Sequence, residues 1–279
     1  MPKLHVVTGL PRSGSTLLCN LLCQNPDIWA SSTSPLCQIV AGVSHMASTA
    51  PEFKSDLIGN RADAEGRLDR TLRVMAAAWY PAGSRPHVFD KGRGWSLNSR
   101  LLRSIAPDSV VLAMVRDPRE VIASIEKQHA ANPQIDDTPT GLAKTAWARA
   151  EVFMGPEGMV GSAILGVEDL LRRQDPHVVY IDTRALCTDP AKVLGKVYDE
   201  LGQVGAELEP FKHDFTQVEK TATDVDGLYL HKFPHDGDGA VRPPEGLHAW
   251  REWVSEDLGQ QIVARYPYYA KTFGYGQGG

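Results

Sequence analysis

Short apolar runs recur along this chain, each bounded by polar or turn-forming residues: LHVVT at 4–8, HVF at 87–89, SVVLAMV at 109–115 and HVVYI at 177–181. Runs that stay apolar instead of alternating predict strands buried on both faces. The segments between them carry helical periodicity, so the chain reads as an α/β fold, an open and mainly parallel sheet flanked by helices. Two longer stretches, about 35–80 and 130–173, show helical periodicity without a strand and are expected to be helical excursions that form lid or acceptor-binding elements. The segment 224–245, with GLYLHKFPHDGDG at its centre, is rich in Gly, Pro, Asp and His and predicts a long loop. No internal repeat or low-complexity tract interrupts this order, and 279 residues suit a single domain over 1–279.

The first predicted strand runs into G-L-P-R-S-G-S-T at 9–16, followed by LLCNLLCQN. This matches the phosphate-loop pattern G-x-x-x-x-G-K-[ST] at every fixed position except the lysine, where Ser15 stands. Glycines let such a loop turn its N–H groups inward, and the helix that follows points its positive end at an anion. Leu17, Leu18, Leu21 and Leu22 supply that helix with a buried stripe, and Gln24-Asn25-Pro26 ends it. A nucleoside triphosphatase uses the missing lysine on its β- and γ-phosphates. Here the cation is Arg12, three residues earlier. One guanidinium and a ring of amides suit an anion whose terminal group carries less charge than the nearly two of a terminal phosphate, without a metal ion.

A second anion-binding device lies in SVVLAMVRDPREVIASIEKQ at 109–128. The strand stops at Arg116 and turns directly into a helix, with Asp117 as N-cap, Pro118 at the first helical position and Glu120 at the third. Arg116 then sits beside a helix N-terminus, with Ser124 two turns on. Ligands of open parallel sheets gather beyond the carboxyl ends of the strands, which places Arg12 and Arg116 in one crevice and predicts a ligand phosphorylated at two places.

Taken together, G-x-P-R-S-G-[ST]-T-L-L and the downstream R-D-P-R-x-V-x-x-S resemble the two donor-binding signatures of the sulfotransferase superfamily, in particular the tyrosylprotein sulfotransferases and related bacterial enzymes. The likeness extends to W-A-R-A at 147–150, VVYIDTRALCTDPAKVLGKVYDELG at 178–202, V-R-P at 241–243 and T-F-G-Y at 272–275. It implies a sulfotransferase fold with a P-loop-type sheet, and transfer of a sulfo group from 3′-phosphoadenosine 5′-phosphosulfate to a hydroxyl or amine of a small-molecule or peptide acceptor. By the same resemblance Arg12, Ser13, Gly14, Ser15 and Thr16 hold the 5′-phosphosulfate, Arg116 and Ser124 hold the 3′-phosphate, and Arg242 adds a further cation there. Lys91, in HVFDKGRGW, matches the family lysine that assists the leaving oxygen.

The general base departs from the family pattern. Tyrosylprotein enzymes carry a glutamate after the second strand, whereas this chain reads W-A-S-S-T-S-P-L at 29–36, with Thr33 at the matching position. Asp90 is the first substitute, because burial can raise a carboxylate to a useful pKa, although strand alternation turns Asp90 and Lys91 to opposite faces. His129 and His231 are alternatives, and an acidic acceptor such as a phenol needs no base. The hydroxyls of Ser31, Ser32, Thr33 and Ser34 either bind the acceptor or cap the next helix. Trp79, Trp95, Trp147, Trp250 and Trp253 either line a pocket or pack the core.

Composition narrows the field further. A net charge of −5 opposes general nucleic-acid binding, and no apolar run approaches the ~18 residues of a membrane span. The first strand begins at once, which leaves no room for a signal peptide and predicts a cytoplasmic protein. Cys19 and Cys23 stand four apart on a predicted helix, as core residues or as a pair of metal ligands; Asp236 and Asp238 lack the rest of a calcium loop, so no metal is expected. Two rival readings stay open: a P-loop small-molecule kinase, with Asp90 or Asp182 for its metal ion, and a non-catalytic nucleotide-binding module.

Overall fold

In a computed structural model the described residues are 2–31, 33–80, 85–131, 133, 142–206, 208, 211–219, 239–244, 246 and 248–276. Five strands, β1 (Lys3–Gly9), β2 (Ile28–Ala30), β3 (His87–Lys91), β4 (Val111–Val115) and β5 (Val178–Asp182), pair in parallel in the order β2-β3-β1-β4-β5. Each apolar run of the sequence became a strand. The central β1 and β4 are buried over most of their length, as parallel strands covered on both faces must be. β2 escaped the sequence pattern because its three residues, Ile28–Ala30, are too short to show a period.

Helices cover both faces of the sheet. α1 (Ser15–Cys23) and α10 (Pro190–Gln203) pack on one face, around Val7, Leu22, Phe89 and Leu112. Burial of α1 is broader than one leucine stripe, since Cys19 and Asn20 are enclosed as well. α2 (Leu36–Thr49), α3 (Pro51–Ala78), α4 (Gly94–Leu97) and α5 (Ser99–Ile105) contribute to the opposite face, around Val6, Val88, Val111 and Trp95. α3 bends at Asn60, whose backbone leaves the helical region. The long helical stretches of the sequence are thus α2 and α3, and α7 (Ala146–Met154) and α8 (Gly161–Arg173), with Leu170 of α8 in the same apolar cluster as α2 to α5.

A third apolar cluster joins α6 (Pro118–Ala131) and α8 to the C-terminal elements: a 3₁₀ turn (Ala249–Glu252), α11 (Glu256–Arg265) and α12 (Pro267–Phe273). The W-A-R-A motif belongs to this cluster. Arg149 donates from Nε to Glu126 Oε1 (2.9 Å) and from Nη2 to Glu126 Oε2 (2.5 Å), a buried two-point ion pair that locks α7 against α6.

The two cysteines of α1 are built into the packing. Cys19 lies fully in the core, where burial pushes its thiol up to about 12, and Cys23 Sγ exchanges hydrogen bonds with the backbone of Ala30. Among the described residues no three metal-ligating side chains come together, and no helix is long and apolar enough to cross a membrane. His231, Ser32, Asp236 and Asp238, with most of the predicted 224–245 loop, lie outside the described residues.

Candidate active site

The chain leaves β1 between its two sheet neighbours, β3 and β4, so the order of connections switches direction at the carboxyl end of β1. That is where an open α/β sheet leaves a crevice. Gly9 makes it possible: a Cβ there would sit 2.2 Å from the Met114 carbonyl oxygen, and the backbone has φ of +105°. Only glycine lets the loop depart this close to β4.

The loop then folds as its residues dictate. Arg12 adopts a left-handed conformation (φ 58°), rare for a residue with a side chain. Gly14 (φ 77°) is the N-cap of α1, and its carbonyl accepts the first helical bond from Leu18 N–H (3.0 Å). The helix therefore begins with its first N–H groups outside the intrahelical ladder, turned toward the cleft. Ser13 closes the turn by donating its hydroxyl to the Leu10 carbonyl (2.5 Å), so its side chain is committed inside the loop.

Around this loop opens a cleft of about 620 Å³. Arg12, Ser13, Gly14, Ser15, Thr16, Arg116, Ser124 and Arg242 all line it, gathering the two motifs and the distant V-R-P segment. Arg12 Nε donates to Ser124 Oγ (3.1 Å), and Arg116 Nη1 donates to the Arg12 carbonyl (2.5 Å). One face of α6, carrying Glu120, Ser124, Lys127 and Ala131, forms a wall. His129 is turned off that face by helical geometry.

Asp117 caps α6 as its sequence implies, accepting the Arg119 N–H at Oδ1 (2.9 Å), and is then gripped by the Arg119 guanidinium. Glu120 does not complete a capping box. Its Oε2 accepts from Arg116 Nε (3.0 Å) and its Oε1 from Arg184 Nε (2.9 Å). Tyr269, 153 positions away, fixes the strand end: its hydroxyl donates to the Arg116 carbonyl (3.0 Å) and accepts the Arg116 N–H (3.1 Å).

Lys91 and Asp90 separate as alternation demands. Lys91 shares the α1 side of β3 with Phe89, and its Nζ donates to Thr16 Oγ1 (2.7 Å), so a cation from β3 reaches the start of the helix that the loop lysine of a triphosphatase would serve. Asp90 points to the opposite face and is wholly enclosed. Its carboxylate accepts from the Tyr80 hydroxyl (2.5 Å) and the Trp95 indole N–H (2.7 Å). Burial pushes this carboxyl above the usual carboxylate range, against hydrogen bonds from Ser34, Tyr80 and Trp95. Neither Asp90 nor Lys91 is among the residues that line the cleft: Lys91 reaches it through Thr16, whereas Asp90, the expected base, is enclosed on the opposite face by Tyr80 and Trp95.

The hydroxyl cluster divides in a similar way. Ser31 Oγ accepts the Lys91 backbone N–H (2.8 Å), and Ser34 Oγ accepts the Leu36 N–H (3.1 Å) at the head of α2. Of the tryptophans, Trp250 and Trp253 both line the cleft, and Trp250 is flanked by the guanidiniums of Arg119 and Arg251 at 5.1 and 4.6 Å. Trp95 is core, while Trp79 and Trp147 lie partly exposed away from the cleft.

The sequence alone does not mark Glu120, Lys127, Thr183, Arg184 or Tyr269 as site residues. A faint signal existed for one pair: Asp182-Thr183-Arg184 follows a strand end, as Asp117-Pro118-Arg119 does.

Comparison with known proteins bears on this arrangement. The chain matches the Sulfotransferase family over residues 5–204. It is 26% identical over 236 residues to the Nodulation protein NoeE of Sinorhizobium fredii, covering 75% of this chain and 53% of that protein, so it spans about half the length of this curated relative. In fold it is similar to the sulfotransferase domain of the Synechococcus PCC 7002 olefin synthase (TM-score 0.56, 17% identity, 100% of this chain and 96% of that one). It is also similar to mouse sulfotransferase SULT7A1 complexed with PAP (TM-score 0.54, 12% identity, 99% and 86%). With a five-stranded parallel sheet in the same architecture and a family match over well more than half its length, the chain belongs to the sulfotransferase family.

Proposed function

We propose that the cleft binds 3′-phosphoadenosine 5′-phosphosulfate and that the protein transfers its sulfo group to a hydroxyl or amine of an acceptor. The observation that carries this reading is the convergence of two anion-binding devices, the Arg12 loop and the strand end at Arg116, on one crevice, joined by the Arg116–Arg12 hydrogen bond of 2.5 Å. A ligand phosphorylated at both ends of one ribose suits that pair. Further support comes from family membership and from a fold neighbour solved with PAP.

In this reading Arg12 and the N–H groups at the head of α1 hold the 5′-phosphosulfate, and Arg116, Ser124 and Arg242 hold the 3′-phosphate. Transfer proceeds in line: the acceptor oxygen or nitrogen forms its bond to sulfur as the bridging sulfur–oxygen bond breaks, and the acceptor's proton passes to solvent or to a base. Catalysis is then chiefly positioning and charge stabilisation. In the same reading Lys91, whose Nζ donates to Thr16 Oγ1, neutralises the leaving phosphate oxygen. A kinase needs a carboxylate for its metal ion, and both strand-end candidates are engaged elsewhere: Asp90 by Tyr80 and Trp95, Asp182 by Tyr275 and the start of the helix after β5.

Calorimetry with adenosine 3′,5′-bisphosphate and with ATP plus Mg²⁺ tests the proposal. Binding of the bisphosphate that a chelator leaves unchanged is the expected result. Preference for ATP with Mg²⁺ overturns it in favour of a kinase.

A further inference from the structure

One wall of the cleft is built by residues that neither motif contains. β5 ends at Asp182, whose Oδ1 accepts the N–H groups of Arg184 (2.8 Å) and Ala185 (3.1 Å) and so starts α9 (Thr183–Thr188). The other oxygen of Asp182 takes the Tyr275 hydroxyl (2.5 Å). Thr183 Oγ1 lies 2.9 Å from the Ser13 carbonyl and 3.1 Å from the Val115 carbonyl, tying this junction to the glycine loop and to the end of β4. Arg184 therefore leaves a backbone held from three directions.

Its side chain is held too. Arg184 donates to Glu120 Oε1 through Nε (2.9 Å) and also through Nη2, while Glu120 Oε2 receives Arg116 Nε (3.0 Å). A single carboxylate, 8% exposed, thus grips two guanidiniums that are distant in sequence, one on each oxygen. All three groups line the cleft. Glu120 cancels one charge, yet among the described lining residues it stands alone against Arg12, Arg116, Lys127, Arg184 and Arg242. The surplus remains strongly positive. What the carboxylate adds is order: an arginine gives up much rotamer freedom on binding, and a guanidinium already fixed loses less of it on meeting a phosphate.

We propose that Arg184 is a donor-binding residue, a second guanidinium for the ribose 3′-phosphate, held beside Arg116 by their shared Glu120. This rests on reading the cleft as the site of a 3′-phosphorylated adenine nucleotide. An Arg184 that merely ties α9 to α6 would support both ends of that nucleotide alike, whereas a phosphate ligand acts on the 3′ end alone.

The test is calorimetric titration of the wild type, Arg184→Ala and Arg184→Gln with adenosine 3′,5′-bisphosphate and with adenosine 5′-monophosphate, which lacks the 3′-phosphate. Arg184→Gln keeps a hydrogen-bond donor for Glu120 and removes the charge, so it remains informative if the alanine variant folds poorly. The bisphosphate should bind about 10- to 100-fold more weakly to the variants, the loss of a charge-assisted hydrogen bond, while the monophosphate changes by less than about threefold. Equal weakening of both ligands, or of neither, overturns the assignment of Arg184. A wild type that fails to prefer the bisphosphate overturns the reading of the cleft itself, and with it this inference.

Discussion

Replacing Asp90 separates a structural carboxylate from a catalytic one. In the folded chain Asp90 is fully enclosed and accepts hydrogen bonds from the Tyr80 hydroxyl and the Trp95 indole N–H. Asp90→Ala leaves both donors without a partner in a fully buried site, at about 1–3 kcal/mol each, so a loss of roughly 2–6 kcal/mol is expected. Asp90→Asn behaves differently. Its amide oxygen can accept from Trp95 and its amide nitrogen can donate to the Tyr80 oxygen. It also removes a charge that burial disfavours, the chief cause of the raised carboxyl pKa. Its cost should stay below about 2 kcal/mol. Urea unfolding followed by tryptophan fluorescence reads both values from the midpoint and slope. Release of adenosine 3′,5′-bisphosphate from the donor, with phenols as acceptors, reads turnover. If Asp90→Asn costs as much stability as Asp90→Ala, the hydrogen-bond account fails. If it abolishes turnover in a stable, donor-binding protein, Asp90 is the base after all.

Four further outcomes are expected. Arg116→Ala should weaken adenosine 3′,5′-bisphosphate binding by roughly 1.5–3 kcal/mol in calorimetry, the loss of a charged hydrogen bond. Lys91→Ala should lower kcat more than donor affinity, and an unchanged rate removes Lys91 from the mechanism. Arg149→Ala strands Glu126 without its buried partner and should cost about 3–5 kcal/mol in a thermal or urea melt, with donor affinity intact at low temperature. The pH dependence of stability carries a histidine signature. His5, hydrogen-bonded to His87 (3.2 Å) and to the Val110 N–H (3.0 Å), is lowered to about 3 by burial first and by His87 second, while burial also lowers His87 and His213. Their folded-state pKa values lie below the unfolded 6.5, so the stability they allow is complete above that pH and is lost as the pH falls toward 3. The unfolded chain takes up protons that the native fold refuses. Unfolding free energy should drop by about 1.4 kcal/mol per pH unit from His5 alone below its unfolded value. Urea titrations at several pH values between neutrality and 5, compared with His5→Gln, check this; a flat profile contradicts it.

Local chemistry made much of this protein readable in advance. Continuous apolar runs announced β1, β3, β4 and β5, because a strand covered on both faces needs no polar alternation. The glycine spacing at 9–14 and the Asp117-Pro118 helix start announced the loop and the helix head that meet at the cleft, since both devices are written within a few consecutive residues. Alternation along β3 even turned Asp90 away from Lys91. Folding supplied what depends on residues far apart in the chain. Tyr80, just beyond α3, and Trp95 from α4 close over Asp90, and only that packing makes a strand-end carboxylate an internal hydrogen-bond hub. Glu120 looked like a capping residue, and became the link between Arg116 and Arg184 only once β5 settled beside β4. Tyr269 reaches back to the Arg116 backbone across most of the chain. Propensity and capping act over a few residues and can be read in order, whereas the partner of a buried charge is chosen by whichever distant side chain the packed sheet brings within 3 Å or so.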